Sequence, residues 1–184
     1  EILFLQGGAS LQFSMIPMNF LAPDQVGAYV LTGSWSEKAL KEAKKLGKTA
    51  VVASTKEENY RSIPALDDVK LPKEEIGYLH ITSNNTIFGT QWADYPSIEG
   101  VDLIADMSSD ILCRQIDVSK FSLIYAGAQK NLGPSGVTVV ILKKELLKRI
   151  PEGLPTMLNY ETHVKSNSLY NTPPTFGIYM LSLV

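Results

Sequence analysis

The chain has 184 residues, 45% of them hydrophobic and 20% charged, which is the profile of a globular protein able to bury a core in one domain. A formal net charge of −2 leaves no basic field to hold nucleic acid or an anionic membrane surface by counterion release, so neither is an expected partner. The single cysteine, Cys113, excludes an internal disulfide and reads as a small buried hydrophobe in a reducing compartment.

In chain order, strands are predicted at Ile2 to Leu5, Thr49 to Ala53, Ile76 to Ile81, Val101 to Ala105, Phe121 to Ala126 and Val137 to Leu142. After the first comes Gly7-Gly8-Ala9-Ser10, opening a helix. A second helix is signalled by the capping-box spacing of Ser34-Trp35-Ser36-Glu37, with Ala39, Leu40, Ala43 and Leu46 on one face and Gly47 as its stop. Glu37, Lys41 and Lys45 read as its solvated side. Asn59 to Glu75, with two prolines, is a connecting excursion, and Ser166 to Thr175 is a polar, proline-punctuated stretch before a last apolar helix. Apolar runs alternating with amphipathic stretches predict an α/β fold with a mostly parallel central sheet flanked by helices. The strand starting at Ile2 and the apolar run ending at Val184 suggest a piece of a longer protein. With no export signal and no stretch of membrane-spanning length, a cytoplasmic location is expected, and the Asn84-Asn85-Thr86 sequon is read as chance.

Three features carry chemistry. Small residues between a strand and a helix let backbone N–H groups approach an anion, with the helix dipole in support; a tight turn with a serine cap would use the same letters. Asp106 follows an apolar run, at the strand end where ligands gather in open α/β sheets; it serves there either as a cap or as partner to a buried cation. Lys130 lies in "YAGAQKNLGPSG", a lysine among small residues between two apolar runs. An amine in a crowded, partly apolar pocket becomes a nucleophile toward an aldehyde, which is Schiff-base chemistry; the plain alternative is a surface lysine in a turn. A phosphate cradle, a carboxylate and a lysine at strand ends of one sheet are the contacts pyridoxal phosphate requires. His80 and His163 share no metal-ligand spacing, so no metal site is expected.

The fragments "GGASLQF", "TGSWS", "NNTIFG", "ADMSSD", "YAGAQKNLGPSGVTVVI" and "SLYNTPPTFGIY", in order from end to end, closely resemble the phosphoserine aminotransferases, fold-type I pyridoxal phosphate enzymes of serine biosynthesis. The resemblance implies that Lys130 holds the cofactor and moves a proton at the substrate Cα, and that Asp106 keeps the pyridine nitrogen protonated. By the same resemblance Trp35 stacks on the ring, Ala9, Ser10 and Gln129 receive the phosphate, and Thr86 lies near the ring oxygen. Asn171 and Thr172 reach the neighbour's phosphate in a homodimer with shared sites. The implied reaction transfers an amino group between L-glutamate and 3-phosphohydroxypyruvate; some members also act on a phosphorylated hydroxythreonine precursor in vitamin B6 synthesis.

Family members are longer, with an N-terminal segment and a small C-terminal domain that supply much of the basic grip on substrate. Residues 1–184 therefore read as the cofactor-binding large domain, truncated at both ends, with little turnover expected; Arg61, Arg114 and Arg149 match no substrate motif. Two other readings stand beside it. A cysteine desulfurase would carry histidine where Gln129 stands, and a non-catalytic phosphate-binding or assembly module would keep the sheet without turnover.

Overall fold

The computed structural model describes residues 1–184. Its strands are β1 (Ile2–Leu5), β2 (Val26–Leu31), β3 (Lys48–Ser54), β4 (Ile76–Thr82), the short β5 (Asn84–Asn85) and β6 (Thr90–Gln91), β7 (Leu103–Asp106), β8 (Leu123–Gly127) and β9 (Thr138–Leu142). The helices are α1 (Gly8–Phe20), α2 (Ser34–Ala43), α3 (Tyr160–Lys165) and α4 (Thr175–Leu181). Seven strands form one sheet in the order β1-β9-β8-β7-β4-β2-β3, and β5 and β6 form a separate hairpin. From β8 across to β3 every pairing is parallel; β9 runs against both β8 and β1.

Alternation along the strands sorts the core into two layers. Tyr29, Tyr78, Ile104, Leu123 and Tyr125 point to the side covered by α1 and α2. Ala28, Val30, Leu79, Ile81, Ala105 and Ala126 point to the other, where Trp92, Ile111 and Phe121 pack. Because α1 is wedged between the sheet and residues 157–160, it is apolar nearly all round, and its buried polar groups must find partners. Asn19 Nδ2 donates to Met15 O at 2.8 Å and Leu158 O at 2.7 Å, Asn19 Oδ1 accepts from Tyr160 N–H, and Gln12 Oε1 accepts from the Tyr160 hydroxyl.

The six strands predicted from sequence are present with ends shifted by a residue or two, but β2, all of it buried, was not among them. The capping box is displaced by one residue. Gly33 is the cap of α2, and Ser36 Oγ accepts from Gly33 N–H at 3.1 Å and Thr32 N–H at 3.0 Å. That leaves Glu37 free for another task. It accepts from Lys56 Nζ at 2.6 Å and Tyr60 Oη at 2.8 Å, and the Lys56 and Tyr60 bonds lower its pKa. So Glu37 ties α2 to the turn after β3 instead of lying on a purely solvated face. Leu46 is exposed, because the helix ends at Ala43 and the following turn rotates it off the apolar stripe. Cys113 is exposed as well, correcting the buried reading: it sits in the turn after Leu112, a residue with φ of 64°. No helix is long and apolar enough to cross a membrane.

Candidate active site

The α1 turn is built from glycine out of necessity. Gly7 and Gly8 have φ of 89° and 66°, and a Cβ on Gly7 would stand 2.5 Å from Leu11 Cδ2. Gly7 is the cap, and no side chain caps the helix. The first intrahelical acceptor, Gly7 O, is taken by Leu11 N–H at 3.3 Å, so the amides of Gly8, Ala9 and Ser10 have no helical partner. All three residues line a crevice beyond the carboxyl ends of β4, β7 and β8. Of the two readings of this turn, the serine cap is not realised: Ser10 lies exposed inside the first turn.

Asp106 forms the floor of the crevice. It ends β7 on the same face as Ile104, flanked by Thr82 on β4 and Tyr125 on β8. Its carboxylate, 5% exposed, accepts at Oδ1 from the Ser108 hydroxyl at 2.6 Å and from Ser108 N–H at 3.0 Å. Burial raises its pKa; the two Ser108 bonds, the Lys130 charge and the Tyr125 hydroxyl oppose that rise. Ser108 Oγ is itself fixed by Gly127 N–H at 3.0 Å. Next to it, Asn84 and Ser109 exchange hydrogen bonds of 2.9 Å and 3.1 Å, which pin the loop after β7 to the start of β5.

Lys130 and Gln129 line the same crevice from the turn after β8. The Gln129 amide folds back over Gly127, where a Cβ would lie 2.7 Å from Gln129 Oε1, so a larger residue there would displace the Gln129 side chain. Lys130 Nζ is 3.5 Å from Thr86 Oγ1 and 5.4 Å from the centre of the Trp35 ring. The expected crowded pocket is not what surrounds it. Lys130 is exposed, with its amine between the Trp35 indole and the Thr86 hydroxyl. Trp35, half-buried at the start of α2, has Lys38 Nζ at 4.0 Å over its ring.

Six of the residues picked out from sequence thus meet in one crevice: Ala9, Ser10, Trp35, Asp106, Gln129 and Lys130. Thr86 joins through its contact with Lys130, from the tip of the β5–β6 hairpin. Asn171 and Thr172 do not. They lie beside Gln6, with Asn171 Nδ2 at 3.4 Å from Gln6 Oε1 and Thr172 O accepting from Gln6 Nε2 at 3.0 Å. Sequence reasoning missed Thr82, Asn84, Ser108 and Ser109, which also line the crevice. Ser108 could have been found, since Asp-x-Ser is the spacing at which a carboxylate accepts from the backbone two residues on. The others come together only through strand pairing.

The aminotransferase class-V family matches residues 1–184. The chain belongs to that family. Within it, the chain is 74% identical over its full length to the phosphoserine aminotransferase of Geobacillus kaustophilus (strain HTA426), covering 51% of that protein. It superposes on the phosphoserine aminotransferase of Bacillus circulans subsp. alkalophilus with a TM-score of 0.96 and 58% identity, over 98% of this chain and 50% of that one. The pyridoxal phosphate-bound phosphoserine aminotransferase of Trichomonas vaginalis gives a TM-score of 0.90 at 39% identity, over 100% of this chain and 52% of that one. This class-V chain therefore spans about half the length of the relatives it matches.

Proposed function

We propose that residues 1–184 form the cofactor-binding large domain of a phosphoserine aminotransferase. Such an enzyme uses pyridoxal phosphate to exchange an amino group between L-glutamate and 3-phosphohydroxypyruvate, giving O-phospho-L-serine and 2-oxoglutarate. The observation that carries this reading is the meeting of an uncapped helix N-terminus, a buried carboxylate and a lysine amine in one crevice.

The donor set fits the cofactor. Of the four buried side-chain polar atoms without a partner, His80 Nδ1, Thr82 Oγ1, Trp92 Nε1 and Thr138 Oγ1, only Thr82 belongs to a residue lining this crevice. A buried hydroxyl left unpaired is costly, so a polar ligand at this place satisfies a group the fold leaves open. Pyridoxal phosphate bound here would supply an aldehyde to condense with an amine and a cationic ring to draw electrons from the substrate Cα. The amides of Gly8 to Ser10, the Ser10 hydroxyl and Gln129 would receive its phosphate. Asp106, held by Ser108, would keep a proton on the ring nitrogen, and Trp35 and Thr86 would hold the ring and its oxygen. Lys130 Nζ would be the amine that attaches the cofactor, and it would take and return the proton at the substrate Cα.

Asn171 and Thr172 serve a second subunit's phosphate in a homodimer. Their place beside Gln6, outside their own crevice, supports this, as do the exposed Leu169, Tyr170, Phe176 and Tyr179 around them. No arginine lines the crevice. Arg149 is bound to Asp102 and backbone carbonyls, and Arg114 to the carbonyls of Trp92 and Ala93. Substrate anions therefore find no arginine in this crevice, which supports low turnover by this chain alone.

Titration with pyridoxal phosphate tests the reading. A visible band should form that borohydride removes, leaving the added mass on the peptide containing Lys130, and Lys130→Ala should show no such band. Reduction fixing the cofactor on another lysine would overturn the assignment.

A further inference from the structure

Directly beneath Asp106 lies a buried polar chain that none of the roles above uses. Asp106 on β7 is the register neighbour of Tyr125 on β8, and alternation puts both side chains on the α1 face. The Tyr125 hydroxyl lies 2.9 Å from His80 Nε2, reaching over Ile104 to β4. His80 stacks on Tyr29 at 5.0 Å between ring centres, and the Tyr29 and Tyr78 hydroxyls are 2.7 Å apart. All four rings are buried, and His80 Nδ1 has no partner.

We propose that Tyr125 and His80 are positioning residues for Asp106: His80 donates its Nε2–H to Tyr125 Oη, which frees the tyrosine hydrogen to bond the Asp106 carboxylate. This inference rests on the reading of Asp106 as the ring-nitrogen partner. The alternative tautomer, with the proton on Nδ1, buries an N–H that has no acceptor, spends the tyrosine hydrogen on Nε2, and turns oxygen lone pairs toward a carboxylate. An ionised Asp106 therefore selects the Nε2–H form. His80 stays neutral throughout, because burial pushes its pKa down to about 3. The groups facing this chain are Ser108 and Lys130 on the Asp106 side, Tyr29 against the imidazole, and Tyr78 and Tyr160 beyond them. None of them is positioned to supply the hydrogen that Tyr125 gives up under the other tautomer.

The first readout needs no cofactor. In the ¹⁵N-labelled chain, long-range ¹H–¹⁵N correlation should show His80 as the Nε2–H tautomer. Asp106→Asn, whose amide can donate to Tyr125 Oη, should move it toward the Nδ1–H form. An Nδ1–H tautomer in the wild-type chain, or one indifferent to Asp106→Asn, overturns the proposal whether or not pyridoxal phosphate binds. The second readout is affinity. Tyr125→Phe should weaken pyridoxal phosphate binding about ten-fold, and more as the pH is lowered. His80→Leu should do the same while His80→Asn, which retains a donor, should recover most of the loss. Should these variants not fold, the wild-type tautomer alone decides. Failure of the chain to bind pyridoxal phosphate, with the tautomer as stated, would sink the proposed function and leave the Asp106–Tyr125–His80 arrangement standing.

Discussion

Ser108 holds Asp106 from two residues away, giving both its hydroxyl and its backbone N–H to the same carboxylate oxygen, at 2.6 Å and 3.0 Å. Hydrogen bonds to the ionised form counter the burial that raises the Asp106 pKa. Ser108→Ala removes one of them, so the carboxylate takes up a proton at higher pH. Pyridoxal phosphate binding is expected to weaken about ten-fold near neutrality, with the loss deepening toward acid pH, in an absorbance titration. A loss equal at every pH would show that the hydroxyl only shapes the turn.

The same burial makes Asp106 a liability to the empty chain. A carboxyl whose folded pKa is raised above its ordinary 3.8 binds more protons folded than unfolded between the two values, so its contribution to stability falls as pH rises through that window. Asp106→Asn should therefore raise the melting temperature of the cofactor-free chain at pH 7, by about 2–4 °C if about 1 kcal/mol is recovered. The gain should vanish below the ordinary carboxylate range. Scanning calorimetry at pH 7 and near pH 3.5 checks it, and the stabilised variant should bind pyridoxal phosphate less well.

His80 acts with the opposite sign. Its folded pKa of about 3 lies below its ordinary 6.5, so the unfolded chain takes up a proton that the folded chain refuses. Stability is fully present above about 6.5 and is lost as pH falls toward about 3, with a slope of at most about 1.4 kcal/mol per pH unit. Urea unfolding at pH 5, 6 and 7 should show this slope in the wild-type chain and a shallower one in His80→Asn. Parallel slopes would mean that His80 is reached by water.

How far the sequence reveals this arrangement depends on the range of the interaction. The lysine turn, the glycine turn and Asp106 are legible because each sits next to a strand, and strand ends are where such a sheet presents ligands. β2 escapes because VGAYVL is a short apolar run carrying a glycine and following Pro23-Asp24, so turn residues mask a fully buried strand. Thr82 and Tyr125 meet Asp106 only through the β4–β7 and β7–β8 registers, which one sequence does not specify. Leu46 and Ser34 depart from the sequence expectation for a local reason: the cap is Gly33, one residue before Ser34, and α2 stops at Ala43.

Arg149 joins the far end of the sheet. Nη1 pairs with Asp102 Oδ2, while Nη2 donates to Phe20 O at 2.8 Å and Gly77 O at 2.9 Å, binding the ends of α1 and β4 to the segment after β9. Both charged side chains are about a third exposed, so most of the value lies in the carbonyl bonds and not in the ion pair. Arg149→Ala is expected to cost about 2 kcal/mol in denaturant unfolding. Lys should restore less than half of it, because an ammonium cannot span those carbonyls and the carboxylate together. Pyridoxal phosphate affinity should be unchanged at temperatures where the variant is folded.

Gly7 and Gly8 share the left-handed backbone but not the same surroundings. No atom lies within 4 Å of a Cβ built on Gly8, whereas one on Gly7 meets the Leu11 side chain at 2.5 and 2.7 Å. Gly8→Ala should cost only the backbone strain, about 1 kcal/mol, while Gly7→Ala adds the clash and should cost about 2 kcal/mol or more. Relieving that clash moves Leu11 and, with it, the first turn whose free amides face the crevice. Binding of pyridoxal phosphate should then fall much more than binding of pyridoxal, which lacks the phosphate. Equal losses for the two would mean that the α1 N-terminus does not hold the phosphate.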